Sequence, residues 1–193
     1  MIEPLGLILA GGRSTRMDGA SKADLPLGGE RLIDRCAERL LPQVRDIAVN
    51  ANEPIVGNWT ILPDTMPGHL GPLAGVLAGL EWAANQGASH IVTVAVDTPF
   101  FPCDLVPHLL MAADGHPDGL TIATTPDWEH GTFGLWPVSL SDPLSAFLAS
   151  GGRKVRTFTK DQNAALAPFP DTTPPVFFNI NTPDDLAQAQ TWV

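Results

Sequence analysis

Short apolar runs of strand length alternate along this chain with segments of helical periodicity, and this alternation restricts the possible folds more than any other feature. The runs predicted to be strands cover residues 5–10, 47–49, 60–62, 91–96, 120–124 and 133–138. The segments predicted to be helices cover residues 31–41, 73–84, 105–113, 143–149 and 183–192, the last with Thr182 as its N-cap. Strands that alternate with helices predict an α/β fold whose mostly parallel sheet is covered on both faces.

The length of 193 residues suits a single domain with its own core. Cys36 and Cys103 are too few for a disulfide framework and lack metal-ligand spacing, which favours a reducing compartment. The chain starts without the features of a signal peptide, and no run approaches the ~18 apolar residues of a membrane span. We therefore expect a cytoplasmic protein. Residues 167–175, with four prolines, are predicted to form a rigid surface connection.

The formal net charge of −10 disfavours binding to nucleic acid or to an anionic membrane. The eleven basic residues are nevertheless concentrated, since seven lie before residue 46 and four lie within residues 153–160. Two short basic tracts in an acidic chain indicate a compact anionic ligand, although arginines on a helix surface explain part of the first tract equally well.

A glycine-rich loop directly follows the first predicted strand. The loop and the cations near it are Leu9, Ala10, Gly11, Gly12, Arg13, Arg16 and Lys22. Glycines let backbone amides approach a phosphate closely, and the cations supply charge. The spacing matches neither a P-loop nor the GxGxxG dinucleotide motif. We interpret the loop as a phosphate cradle rather than as a merely flexible connection.

Asp97 follows the most apolar predicted strand, at the sheet edge where ligands of α/β proteins bind. A carboxylate in this position can hold Mg²⁺, which binds one or two carboxylates together with substrate phosphates. The alternative is an aspartate that only stabilises its own turn. Asp64 follows another predicted strand, and there a ligand and a turn residue are equally good interpretations.

Asn50 and Asn52 follow the second predicted strand, where an amide can recognise a base or a ribose or can simply favour a turn. Asn179 and Asn181 raise the same question near the last helix. His130 is a lone histidine before a strand, a position more typical of a structural role. The chain lacks a Gly-x-Ser-x-Gly elbow and a nucleophile with a partner base. The remaining chemistry is phosphoryl-type transfer, in which the protein mainly positions substrates and neutralises charge.

Together these motifs resemble the molybdenum cofactor guanylyltransferase family over nearly the whole chain. Residues 9–17 with Lys22 are similar to the family's Leu-Ala-Gly-Gly-x-Ser-x-Arg-Met signature and downstream lysine. Three further matches are Gly-Pro-Leu-Ala-Gly at 71–75, Asp-Thr-Pro at 97–99 and Asn-x-Asn-Thr-Pro at 179–183. The double glycine and Asp-x-Pro also occur in sugar and isoprenoid nucleotidyltransferases, whereas the other two motifs are more selective. Ser21 and Gly131 depart from the family, which usually has Asp and Pro there.

The resemblance implies a Rossmann-like three-layer fold, with nucleotide binding over residues 1–100 and acceptor binding over residues 101–193. It implies transfer of GMP from GTP to the phosphate of molybdopterin or its metal-loaded form, with release of pyrophosphate. The implied catalytic residues are Arg16, Lys22 and Asp97, with Asp97 as the Mg²⁺ ligand. The implied nucleotide contacts are Leu9, Ala10, Gly11, Gly12, Lys22, Asn50, Asp64, Gly75 and Asp97.

Acceptor binding is expected of Asn179 and Asn181 from the resemblance, and of Arg153, Lys154 and Arg156 from the isolated basic tract. A molybdoenzyme or a cofactor-delivery protein could receive the product. Cytidylyl transfer to the same pterin, nucleotidyl transfer to a sugar phosphate, and non-catalytic delivery of a nucleotide or cofactor remain the alternatives. Base selectivity depends on a single hydrogen-bonding edge, which these residue patterns do not identify.

Overall fold

A computed structural model describes residues 2–11, 21–68, 70–116 and 119–193. The strands are β1 (Leu5–Leu9), β2 (Pro26–Leu27), β3 (Glu30–Arg31), β4 (Ile47–Asn50), β5 (Thr60–Leu62), β6 (His90–Ala95), β7 (Thr121–Thr125), β8 (Trp128–Pro137) and β9 (Ala165–Pro168). The helices are α1 (Leu32–Leu40), α2 (Pro72–Asn85), α3 (Leu105–Ala113), α4 (Ser141–Ala149), α5 (Val155–Asp161) and α6 (Pro183–Gln190). Short 3₁₀ turns cover Lys22–Asp24, Leu41–Gln43 and Val138–Leu140.

One large sheet organises the molecule, with strand order β5-β4-β1-β6-β8-β7-β9. The pairs β5/β4, β4/β1, β1/β6 and β7/β9 are parallel, whereas β8 runs antiparallel to both β6 and β7. Strands β2 and β3 form a separate hairpin. The predicted mostly parallel α/β sheet is therefore confirmed.

Both faces of the sheet are covered, as the alternation of side chains along β1 illustrates. The side chain of Ile8 joins a core cluster that includes residues of α1, α3 and α6. Leu7 and Leu9 join a second cluster, which includes residues of α2, α4 and α5. Successive side chains of a strand point to opposite faces, so the two clusters lie on opposite sides of the sheet and the fold has three layers.

The carboxyl ends of four parallel strands lie side by side. Leu9 at the end of β1 is in register with Asn50 of β4 on one side and with Ala95 of β6 on the other. Asn50 is in turn in register with Leu62 at the end of β5. The loops that follow these strands consequently leave the sheet at one edge, which is where α/β proteins bind ligands.

Most predicted elements are confirmed, and α3 has the predicted bounds. The hairpin β2/β3, helix α5 and strand β9 were not predicted. The prediction of a plain surface connection over residues 167–175 is wrong at its start, because β9 pairs with β7 and both Ala167 and Phe169 are buried. Ala165 and Ala167 alternate with exposed residues, as expected of a strand with one buried face, but the nearby prolines obscured this short pattern. An edge strand such as β9 tolerates proline.

Cys36 is free and buried in the core, and Cys103 is free and exposed. Burial raises the pKa of the Cys36 thiol above its ordinary value, so this group stays protonated and acts as a small apolar side chain. Within the part of the chain that the structure describes, no helix is both long enough and apolar enough to cross a membrane.

Candidate active site

A cluster of amides and a carboxylate lies at the ends of β4 and β5. The Nδ2 group of Asn50, a residue only 1% exposed, donates to the Leu62 carbonyl oxygen at 3.0 Å and to Asp64 Oδ1 at 3.0 Å. Asn52 Nδ2 donates to Asp64 Oδ2 at 2.9 Å, and Asn52 Oδ1 accepts from the Asp64 backbone N–H at 2.9 Å. Both carboxylate oxygens of Asp64 are therefore oriented by amides, and both amide hydrogens of Asn50 are used within the protein.

Gly11 and Gly75 provide the space that the Asn50 side chain occupies. A Cβ atom at Gly11 would lie 2.8 Å from Asn50 Oδ1. At Gly75 it would lie 2.6 Å from Asn50 Cγ and closer still to the amide oxygen. A larger residue at either position would displace the buried Asn50 amide. The expected contact of these two glycines with a nucleotide stays a prediction.

Lys22, Asp97 and Asn181 meet although they are far apart in the chain. Lys22 Nζ donates to Asp97 Oδ2 at 3.1 Å and to Asn181 Oδ1 at 2.7 Å. The Thr98 hydroxyl donates to Asp97 Oδ1 at 3.3 Å, and the Asp97 carbonyl oxygen accepts from the Ile180 N–H at 2.7 Å. Of the three predicted catalytic residues, Lys22 and Asp97 are in contact, and Asn181, expected at the acceptor, touches the same ammonium group.

A capping box at the start of α6 fixes the backbone of Asn181. Asp185 Oδ2 accepts from the N–H of Asn181 at 2.9 Å and from that of Thr182 at 2.8 Å, while Thr182 Oγ1 accepts from the Asp185 N–H at 3.1 Å. These hydrogen bonds, followed by attraction to Lys22, lower the pKa of Asp185. The predicted N-cap at Thr182 is confirmed, and it holds Asn181 beside Lys22.

The donor set around Asp97 is compatible with a divalent cation that arrives together with a substrate. Among residues 2–11, 21–68, 70–116 and 119–193, no group of three or more His, Cys, Asp or Glu side chains could hold a metal ion. Mg²⁺ needs only one or two protein carboxylates when phosphate oxygens and water complete its coordination. Asp97, with its side chain 21% exposed, meets that requirement as a single carboxylate.

A cavity of about 660 Å³ adjoins this cluster through two residues. Thr98 and Asn179 line it, and each is a near neighbour in sequence of a residue that contacts Lys22. The other walls come mainly from β7, β8 and α5. This volume lies within the range of roughly 300–1,000 Å³ that is typical of small-molecule sites.

Aromatic and polar side chains in this cavity are held in defined positions. His130 stacks on Phe177 with ring centroids 4.2 Å apart, and its Nε2 lies 3.0 Å from Thr125 Oγ1. Burial lowers the pKa of His130, which favours the neutral imidazole at neutral pH. Trp128, the first residue of β8, lines the same cavity and is 70% exposed. A neutral, stacked His130 is consistent with the structural role expected for it.

The three cations predicted at the acceptor site are in different environments. Arg156 lines the cavity, where its Nε lies 3.1 Å from Glu129 Oε2. Arg153 instead donates to the Leu148 carbonyl oxygen at 2.8 Å, at the end of α4. Lys154 is the N-cap residue of α5 and is not among the residues that line the cavity. Arg156 is therefore the basic residue of this group that is best placed for a ligand in the cavity.

The glycine loop is described only in part. The Leu9 carbonyl oxygen accepts from the Val96 N–H at 3.1 Å, and the Ala10 N–H donates to the Asn50 carbonyl oxygen at 2.9 Å, which ties the start of the loop to both neighbouring strands. Gly12 and Arg16 lie outside the described residues, so their expected contacts with phosphate stay predictions.

Sequence reasoning gave no role to Thr98, Trp128 or Glu129, which all line the cavity. Thr98 belongs to the Asp-Thr-Pro motif, so its position next to Asp97 indicated that it lies at the site. Trp128 and Glu129 begin β8 directly after the turn at Pro126 and Asp127, and a large aromatic residue beside this turn was the available indication of a binding surface.

The fold and the family comparison define the class of protein. Residues 6–166 match the family model of the MobA-like NTP transferase domain. Among solved structures, the molybdopterin-guanine dinucleotide biosynthesis protein A from Archaeoglobus fulgidus has a TM-score of 0.75 and 24% identity, with 97% of each chain covered. The chain has the fold of a nucleotidyltransferase, and the predicted Rossmann-like three-layer architecture is confirmed.

Curated relatives define the family within that class. The molybdenum cofactor guanylyltransferase of Cereibacter sphaeroides is 46% identical over 187 residues, which cover 96% of this chain and 94% of the relative. The enzyme of the same name from Rhizobium rhizogenes is 44% identical over 197 residues, with coverages of 96% and 90%. The chain belongs to the molybdenum cofactor guanylyltransferase family, as its motifs predicted.

Proposed function

We propose that the protein transfers GMP from GTP to the terminal phosphate of molybdopterin, or of its metal-loaded form, and releases pyrophosphate. The contact between Lys22 and Asp97 carries the proposal, because it unites a cation suited to phosphates with a carboxylate suited to a divalent metal at the ligand-binding edge of the sheet. The names of the curated relatives support guanylyl transfer over cytidylyl transfer. A molybdoenzyme or a cofactor-delivery protein would then receive the product.

In the proposed reaction, an oxygen of the acceptor phosphate attacks the α-phosphorus of GTP. A new P–O bond forms there while the bond between the α-phosphorus and the bridging oxygen to the β-phosphate breaks, and pyrophosphate departs with that electron pair. The attacking phosphate is already ionised at neutral pH, so the protein need not supply a base. Catalysis then depends on alignment of the two substrates and on neutralisation of charge.

Lys22 would neutralise the triphosphate, together with Arg16 and the backbone amides of Gly11 and Gly12. Asp97 would hold a divalent cation, and nucleotidyltransferases of this family generally use one. We propose Mg²⁺, which when bound would draw charge from the phosphate oxygens and so favour attack. Thr98 donates to the other oxygen of Asp97 and would keep the carboxylate oriented.

Asn50 and Asp64 would orient the nucleoside from the other side of the glycine loop. The two hydrogens of the Asn50 amide are already donated to Leu62 and Asp64, so Asn50 would act mainly by fixing Asp64. Asp64 receives one amide hydrogen on each carboxylate oxygen and retains lone pairs that can accept from N–H or O–H groups of a nucleoside.

The cavity lined by Trp128 and His130 would hold the acceptor. Thr98 and Asn179 connect its walls to the residues that contact Lys22, so a ligand there could present its phosphate to the nucleotide. Aromatic walls suit a planar heterocycle such as a pterin, and Arg156 suits a phosphate. Asn179 would contribute an amide to the same ligand, and Asn181 would act beside it at Lys22.

Release of pyrophosphate in the presence of Mg²⁺ and molybdopterin tests the reaction directly. We expect release with GTP, little with CTP, and none when the pterin is omitted. Release with CTP would preserve the mechanism and change the product. No release with either nucleotide, from folded protein and active pterin, would contradict the proposal and favour the alternatives of a sugar phosphate acceptor or a non-catalytic delivery protein.

Replacement of Arg156 with alanine tests the acceptor cavity. We expect the KM for molybdopterin to rise about tenfold with the KM for GTP unchanged, since a charge-assisted contact to phosphate would be lost. The Lys160→Ala variant is a matched control, because it removes one positive charge from the same helix outside the cavity. Equal acceptor KM values for the two variants would remove Arg156 from the site.

A further inference from the structure

Lys22 is held by two acceptors of different chemistry. One is the charged Asp97 Oδ2 at 3.1 Å, and the other is the neutral Asn181 Oδ1 at 2.7 Å. The Lys22 side chain is 12% exposed, so its ion pair with Asp97 is largely shielded from water. Both acceptors come from distant parts of the chain, which means that the position of this ammonium depends on the assembled fold.

Each carboxylate oxygen of Asp97 already accepts one hydrogen bond. Its Oδ1 accepts from the Thr98 hydroxyl and its Oδ2 accepts from Lys22. A divalent cation held by this carboxylate would lie close to the Lys22 ammonium. The ammonium and the metal are both cations, so they repel each other and compete for Oδ2. A metal therefore binds this carboxylate less tightly while the Lys22 ammonium stays beside it.

The amide oxygen of Asn181 is an acceptor for Lys22 that a metal ion binds less readily than the Asp97 carboxylate. Its amide oxygen carries no formal charge, and hard divalent cations prefer carboxylate and phosphate oxygens. Its backbone is anchored to Asp185, so the amide stays in place when Asp97 changes partner.

We propose that Lys22 is the counter-ion of Asp97 until the metal and nucleotide arrive, and that Asn181 is the positioning residue that keeps the ammonium beside the site during the exchange. This inference rests on the proposed function, in which Asp97 binds the metal and Lys22 binds the triphosphate. Its consequence is that metal and nucleotide bind best together, because the triphosphate gives Lys22 a new anionic partner as the metal takes the old one.

Binding of Mn²⁺ to the nucleotide-free protein tests the competition, with free Mn²⁺ followed by electron paramagnetic resonance. Lys22→Met and Lys22→Gln both remove the ammonium, and we expect each to bind Mn²⁺ about five- to tenfold more tightly than the wild type, the effect of one partly buried ion pair. Lys160→Met is the matched control, with the same loss of charge at an exposed position of α5, and it should bind Mn²⁺ as the wild type does.

Asp97→Asn distinguishes failure of the metal site from failure of the counter-ion role. If this variant retains wild-type Mn²⁺ affinity in the presence of GTP, Asp97 is not the metal ligand and that part of the proposed function fails. If Asp97→Asn weakens Mn²⁺ binding but folded Lys22→Met and Lys22→Gln proteins bind Mn²⁺ no more tightly than Lys160→Met, the counter-ion role alone is overturned.

A double-mutant cycle tests the role of Asn181 through equilibrium binding of GTP. We expect Asn181→Ala to weaken GTP binding about three- to tenfold in the wild-type background and to have little effect in the Lys22→Met background. A merely structural role would weaken binding equally in both backgrounds, and that result would overturn the assignment of Asn181 as the residue that positions Lys22.

Discussion

Replacement of Asp97 with asparagine is expected to lower the rate of nucleotidyl transfer by roughly 10²–10³-fold, the cost of removing one preorganised charge from such a site. The substitution preserves the shape of the side chain and leaves one oxygen that can accept from Lys22, so the fold should be retained. The loss arises because an amide oxygen is a poor substitute for a carboxylate at a divalent cation. Single-turnover release of pyrophosphate at saturating GTP measures the effect.

The Asp171→Asn variant is the matched control for Asp97→Asn. Asp171 is exposed and lies outside the cavity and the Lys22 cluster, so the same chemical change there should leave the rate unaltered. Thermal unfolding of both variants verifies the fold. A rate for Asp97→Asn within about threefold of the control would contradict the role of Asp97, since that difference amounts to less than 1 kcal/mol.

Replacement of Gly75 with alanine is expected to lower the free energy of unfolding by about 2–3 kcal/mol, the upper part of the range for overpacking of a rigid interior. The new Cβ would lie 2.6 Å from Asn50 Cγ and 2.9 Å from Leu9 Cδ2, and closer still to the amide oxygen of Asn50. That amide is buried and has donated both hydrogens, so it cannot move without loss of the bond that orients Asp64. Urea denaturation and GTP binding should therefore both change.

Gly79→Ala separates the packing cost from the effect on the site. Gly79 lies on the same helix as Gly75 but away from Asn50. A Cβ atom at Gly79 would meet the ends of two aliphatic side chains, Leu7 at 2.5 Å and Ile91 at 3.0 Å. We expect Gly79→Ala to lower stability and to leave the affinity for GTP unchanged.

The double variant Gly75→Ala, Asn50→Ala should be more stable than the sum of its single changes predicts, because truncation of Asn50 removes the clash. Strict additivity would show that Asn50 is not the obstacle.

The sequence located the candidate site well where the signal was local. Asp97, Asn50 and Asp64 each follow an apolar run, and the parallel register of β1, β4, β5 and β6 brings these strand ends to one edge. The glycine motifs also singled out Gly11 and Gly75, and in the structure the Asn50 side chain fills the space beside each of them. Their packing against Asn50 was not predictable, because three separate segments create that contact.

The sequence was less informative about the C-terminal half. The isolated basic tract suggested three equivalent cations, yet Arg153 bonds to the end of α4 while Arg156 faces the cavity. Which cation faces the ligand depends on the start of α5, a short helix with too weak an amphipathic pattern to be recognised. Strand β9 was hidden for a similar reason, since its few residues and its prolines gave little periodic signal.

The sequence by itself determined the alternation of strands and helices, the position of each functional loop at a strand end, and the family, because apolar periodicity and short motifs are properties of neighbouring residues. Only the tertiary structure decided that β8 enters the sheet antiparallel and that Lys22 meets Asn181, 159 residues away. Contacts of that kind depend on strand order and on the mutual packing of distant segments, which no local preference of the chain specifies.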